Sequence, residues 1–258
     1  MLIYILTAIF LIILSIKPAM SSTDSQIQDI DSSHQLIVVL TDSWNDSKAV
    51  LFRFEKKQGR WVKEDGLFDA VVGEKGMAWG IGMQQKNPQE PVKKEGDRKA
   101  PAGIFRMIKI MGYDATLPPS VTFQYEQINI KTHCVDDPDS QYYNRIMNEA
   151  DFNPLLKNLW KSSEVMRRKD NLYKWLIVVD YNIKTPKPSA GSCIFLHVWR
   201  SKDKGTAGCT AIAEKDILAL MGWLKEEANP LIVQLPKSVY KLYWKDWKLP
   251  SLGLEEQQ

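Results

Sequence analysis

The chain has 258 residues, of which 44% are hydrophobic, 10% aromatic and 25% charged, a composition that can bury a substantial core and excludes wholesale disorder, collagen and coiled coil. At roughly 150 residues per domain, this length suits one large domain with terminal extensions. Lysine and arginine number 34 against 31 acidic residues, and the net charge of +3 is scattered rather than gathered into a block, so no nucleic-acid footprint is present.

Residues 2–16 form an apolar run of 15 residues, shorter than the ~20 a spanning helix needs, and Ala19-Met20-Ser21 follows as a small-residue cleavage site. This reads as a secretory signal over residues 1–21, with an uncleaved anchor as the alternative. The functional domain is therefore expected outside the cytoplasm, in the periplasm or elsewhere in the cell envelope. Residues 22–35 are polar and predict a flexible lead-in. Short apolar runs at 36–40, 49–54, 175–180, 194–196 and 231–233 are bounded by turn residues and predict strands. Residues 154–166 carry Leu155, Leu156, Leu159 and Trp160 at helical spacing, and residues 214–227 carry Ile217, Leu218, Leu220, Met221 and Leu224 behind an acidic start. Both predict helices. Residues 73–82 and 93–103, rich in Gly, Pro and charge, predict loops. With no repeat and no long linker, residues 36–235 are expected to form one mainly β domain with a few helices, followed by a C-terminal extension at 236–258.

Chemistry concentrates in Ser192-Cys193-Ile194-Phe195-Leu196-His197-Val198-Trp199-Arg200 and in Gly208-Cys209-Thr210. A strand delivers His197, a loop containing Gly205 turns back, and Gly208-Cys209 leads towards the helix that starts near Glu214. That arrangement can place an imidazole beside a thiol, where a neighbouring imidazolium would lower the thiol's pKa. Gly208 lacks a Cβ and can aim backbone N–H groups at a developing oxyanion. On spacing alone, a buried structural cysteine beside a hydrogen-bonded histidine is an equal alternative. Arg200, backed by Lys202 and Lys204, reads either as a partner for a substrate carboxylate or as a solvated loop charge. Asp136-Asp137-Pro138 reads as a turn, and His133 and His34 as structural or surface residues. The cysteines, Cys134, Cys193 and Cys209, lack the spacing of a zinc site, and no cofactor or metal is expected.

Phe195-Leu196-His197 followed by Thr206-Ala207-Gly208-Cys209 resembles the signature of the bacterial L,D-transpeptidase catalytic domain, the YkuD-like family. Glu95-Gly96-Asp97-Arg98-Lys99-Ala100-Pro101-Ala102-Gly103-Ile104-Phe105 is similar to the family's hairpin motif. Val135-Asp136-Asp137-Pro138-Asp139-Ser140-Gln141-Tyr142-Tyr143-Asn144 is similar to a stretch of one branch, which Leu172-Tyr173 and Asp180-Tyr181-Asn182 continue. The resemblance implies a β-sandwich or barrel-like fold and a cysteine acyltransferase acting on peptidoglycan stem peptides. Cys209 would be the nucleophile, His197 the general base, and the Gly208 and Cys209 N–H groups the oxyanion hole. Trp199, Arg200 and Thr206 would contact substrate, and carbapenem-type inhibitors would acylate Cys209. Two departures are Ala207 and Ala211, where many members have His and Arg. The alternatives are an L,D-carboxypeptidase or amidase, with water as acceptor, and a non-catalytic wall-binding module. Cys209 is expected to have a depressed pKa. A bridge between Cys134 and Cys193 would leave it free, although their separation is not legible in sequence.

Overall fold

In the computed structural model, which describes residues 30–84, 91–153 and 159–253, the strands follow one another as β1 (Gln35–Thr41), β2 (Lys48–Lys57), β3 (Arg60–Lys63), β4 (Phe68–Val71), β5 (Met77–Trp79), β6 (Ala100–Gly112) and β7 (Tyr125–Gln127). Next come β8 (Thr132–Cys134), β9 (Ile146–Asn148), β10 (Glu164–Val165), β11 (Trp175–Val179), β12 (Phe195–Val198), β13 (Thr210–Ile212) and β14 (Leu231–Pro236). Two helices, α1 (Glu214–Trp223) and α2 (Lys237–Tyr243), flank β14 in sequence. The expected signal at 1–21 lies outside the described residues.

Hydrogen bonding runs β1-β14-β6-β11-β12-β13-β4-β2, and a further β1–β2 pairing closes the sheet into a barrel. Every residue of β1, β11, β12 and β14 is buried, which explains why they read as unbroken apolar runs. β1 and β14 are parallel with Leu36 opposite Leu231, and β12 and β13 are parallel with His197 opposite Ala211. Side chains alternate across the barrel wall. Ile177, Val179, Leu196 and Val198 join the main core, while Leu176, Val178 and Phe195 face a second apolar cluster that also holds Cys134, Cys193 and Cys209. A small sheet, β10-β8-β9, contributes to that outer cluster and is joined to the segment before β12 by a Cys134–Cys193 disulfide.

Several local expectations are corrected. Residues 159–166 are not helical: Glu164 and Val165 form β10 against Cys134 and His133, and Trp160 packs among His133, Tyr142 and Phe152. Pairing with a distant strand overrides the apolar spacing there, and residues 154–158 lie outside the described residues. The helix expected at 214–227 stops at Trp223 because the buried Gln35 amide donates to the Trp223 carbonyl and accepts the Lys225 N–H. Within the expected loops, residues 77–79 form β5 and residues 100–103 begin β6. Ile30, Ser33 and Gln35, in the stretch expected as a lead-in, are buried.

Candidate active site

His197 sits on β12, and the two-residue period sends its side chain to the outer face beside Phe195. Tyr173 stands edge-on to both rings, 5.1 Å from His197 and 5.5 Å from Phe195. Nδ1 of His197 donates to the Val198 carbonyl at 2.8 Å, which leaves Nε2 as the basic nitrogen of the neutral ring. A backbone carbonyl thus orients the imidazole. Burial pulls the His197 pKa down to about 4, against the opposing effect of that carbonyl.

Cys209 ends the turn entering β13. Thr206 Oγ1 donates to the Cys209 carbonyl at 2.6 Å and accepts the Gly208 N–H at 3.1 Å. This turn needs glycine, since Gly208 has φ +156° and a Cβ there would stand 3.3 Å from the Lys99 carbonyl oxygen. The Gly208 N–H, expected to face an oxyanion, is therefore already committed to Thr206. Cys209 Sγ donates to the Cys193 carbonyl at 3.3 Å and accepts the Phe195 N–H at 3.3 Å. Burial, reinforced by the Glu164 carboxyl, pushes the thiol up to about 12. This overturns the expected depression: the thiol lies in an apolar cluster, and the nearby imidazole is neutral.

Cys209 and His197 line one cavity of about 190 Å³ with Lys93, Glu95, Asp136, Glu164 and Tyr173. Tyr173 donates to Glu164 at 2.5 Å, and burial raises the pKa of both groups. Glu95 accepts from Tyr143 at 2.6 Å and Ser192 at 2.7 Å. Lys93, itself buried, holds Asp97 at 2.6 Å. A second cavity of about 250 Å³ shares the walls formed by Glu164, Tyr173, His197 and Ala207, and carries Arg98, Arg168, Arg200 and Lys204. Arg168 grips Asp170 in a fork at 2.8 and 2.7 Å and holds that carboxyl down at about 2. Arg200, exposed, reaches the same carboxylate at 3.2 Å.

Of the residues singled out in sequence, His197, Cys209 and Gly208 line the thiol cavity, and Arg200 and Thr206 the basic one. Thr206 is engaged in shaping the turn, and Trp199 lines neither cavity, its N–H pairing with Ile212. Asp137 makes the expected turn by accepting the Asp139 and Lys161 N–H groups, and His133 is satisfied by Ser163 and Glu149. Sequence reasoning missed Glu164, whose position suggested only a helix. Glu95 and Tyr173 lie inside the motif-like stretches, where nothing local marks either as a wall of the site.

No curated protein matches the sequence. Among solved structures, the helical cell shape determining protein Pgp2 from Campylobacter jejuni is similar at 13% identity and a TM-score of 0.34, covering 86% of this chain and 64% of that one. A point mutant of that protein is similar at 13% identity and a TM-score of 0.35, covering 86% and 63%. The chain thus spans less than two thirds of these neighbours. The family profile of the YkuD L,D-transpeptidase catalytic domain matches residues 39–233, and the chain belongs to that family.

Proposed function

We propose that the protein is a peptidoglycan L,D-transpeptidase in which Cys209 takes an acyl group from a tetrapeptide stem and passes it to an acceptor amine. The observation that carries this reading is that His197 and Cys209 line one cavity, with Nδ1 of the imidazole held by a carbonyl and Nε2 left as the base. With the thiol near 12 and the imidazole near 4, moving the proton to form an ion pair costs on the order of 10 kcal/mol before attraction between the ions is counted. The pair therefore rests neutral. Proton transfer to His197 accompanies sulfur attack on the carbonyl of the third stem residue, so negative charge passes to the carbonyl oxygen. We assign that oxygen to the Cys209 N–H. Collapse expels the terminal D-residue, its amine protonated by His197, and leaves a thioester. The acceptor amine attacks the thioester and loses its proton to His197, which passes it to the Cys209 sulfur as the C–S bond breaks, leaving the new amide and the free thiol.

A defined tetrapeptide stem incubated with the protein and read by mass spectrometry tests this reading. A cross-linked dimer is expected, tripeptide alone would mean water is the acceptor, and unchanged substrate would leave a binding module. A carbapenem should give one covalent adduct on Cys209, absent from Cys209→Ser. The reading places the protein in the cell envelope, and N-terminal sequencing of exported material is expected to begin at Ser22.

A further inference from the structure

The Cys209 thiol is held by one backbone segment, through the Cys193 carbonyl and the Phe195 N–H. Cys193 has φ +56°, in the left-handed region that is costly for a residue bearing a Cβ. Two attachments keep it there besides the thiol. Its N–H donates to Asn144 Oδ1 at 2.9 Å, and the Asn144 amide nitrogen is itself anchored on the carbonyls of Tyr181 and Asn182. Its Sγ is bonded to Cys134 on β8, a strand outside the barrel, with a Cα–Cα separation of 6.0 Å.

We propose that the Cys134–Cys193 disulfide is a positioning device for the nucleophile, pinning the Cys193 peptide in left-handed backbone so that its carbonyl receives the Cys209 S–H. An acceptor for S–H favours the neutral thiol. Releasing the peptide removes that acceptor, whereas Phe195, held in β12 opposite Val178, keeps its N–H on the sulfur, so the sulfur ionises more readily while losing the placement that aims it into the cavity. The other groups facing the sulfur sit on different elements. Glu164 on β10 opposes ionisation, whereas the Phe195 N–H, then Lys93 and Arg168, favour it. His197 and Tyr173 stand on the barrel side, and Glu95 and Asp136 complete the cavity wall. Glu164 lies opposite Cys134 in register, so the small sheet's own movement must be separated from the movement of the carbonyl.

Two bridge-free variants make that separation: Cys134→Ala with Cys193→Ala, and Cys134→Ala with Cys193→Gly. Both untether the small sheet, and only glycine adopts the left-handed φ without penalty. Iodoacetamide alkylation of Cys209 is followed against pH by peptide mass spectrometry, together with acyl transfer from a tetrapeptide stem. In the double-alanine variant the alkylation midpoint should fall by at least one pH unit and acyl transfer at least tenfold. The glycine variant should stay within threefold of the bridged protein in acyl transfer and recover most of the midpoint shift. Equal effects in both variants, or none in either, overturn the proposal. Should the double-alanine variant not fold, the glycine variant decides: near-normal behaviour supports the proposal, and a tenfold loss sinks it. The acyl-transfer arm rests on Cys209 being the nucleophile, whereas alkylation does not. Absent turnover in the bridged protein would therefore count against the transpeptidase reading alone.

Discussion

At Cys209 and His197, burial sets the charge state. The sequence placed a thiol and an imidazole together, and the usual inference from that pairing is a thiolate and an imidazolium. What a sequence does not carry is the dielectric around them, and the apolar outer cluster with Tyr173 and Phe195 keeps both groups neutral. Two outcomes follow from the pKa directions. His197, held near 4 instead of 6.5, stays a competent base into mildly acidic solution, so kcat/KM for the stem peptide should fall off on the acid side near pH 4. Over the same window the unfolded chain binds a proton that native His197 refuses, so stability should fall as pH drops from 6.5 to 4, by up to ~3 kcal/mol from this residue. Denaturant unfolding across that range checks it, and His197→Ala should flatten that part of the profile. The same variant should lower acylation by at least ~100-fold if the imidazole carries the proton. Near-normal turnover by a folded His197→Ala protein would remove it from the mechanism.

The elements that position these residues were partly legible. The β12 run and the Gly208-Cys209 turn could be read from β-branched and aromatic residues followed by glycine, because those signals are local. The parallel pairing of β12 with β13, which sets His197 opposite Ala211, could not, because register between strands is a non-local property. The same limit accounts for β10: Leu159 and Trp160 sit at helical spacing, yet the strand edge offered by β8 claims Glu164 and Val165. A helix would have left Glu164 without its place between the two cavities. The turn before Cys209 is the element most sensitive to a single methyl group. Gly208→Ala adds a Cβ at φ +156° and 3.3 Å from the Lys99 carbonyl oxygen, a strain on the order of 1–3 kcal/mol. It should cut acyl transfer at least tenfold while circular dichroism stays unchanged. Full activity in that variant would show that the turn tolerates a side chain.

Across the whole molecule, β1 is the strand that closes the barrel, since it bonds β14 on one side and β2 on the other. Its hydrophobic run announced a buried strand, but closure depends on which partners arrive, and no local pattern names them. The residues after β14 show the same gap between pattern and packing. Residues 236–258 carry Val239, Tyr240, Tyr243 and Trp247 at helical spacing, yet that pattern names no partner: α2 packs on β14 and β1 with Val239 and Tyr240 in the main core, which Leu249 joins from the segment after the helix. Tyr240 is 1% exposed and donates to the Pro250 carbonyl at 2.7 Å, and Tyr243 and Trp247 stack at 4.9 Å and meet Trp79 edge-on. Removing the Tyr240 ring therefore leaves both a cavity and an orphaned carbonyl. Tyr240→Ala should cost roughly 3–5 kcal/mol, as for other buried aromatic truncations. At ~2–4 °C per kcal/mol in a chain of this size, that loss lowers Tm by about 10 °C. Tyr240→Phe, which keeps the ring and loses only the hydrogen bond, should cost about 1 kcal/mol. Scanning calorimetry on the two variants separates ring packing from the hydrogen bond, and a Tm unchanged in Tyr240→Ala would mean that α2 contributes nothing to barrel stability.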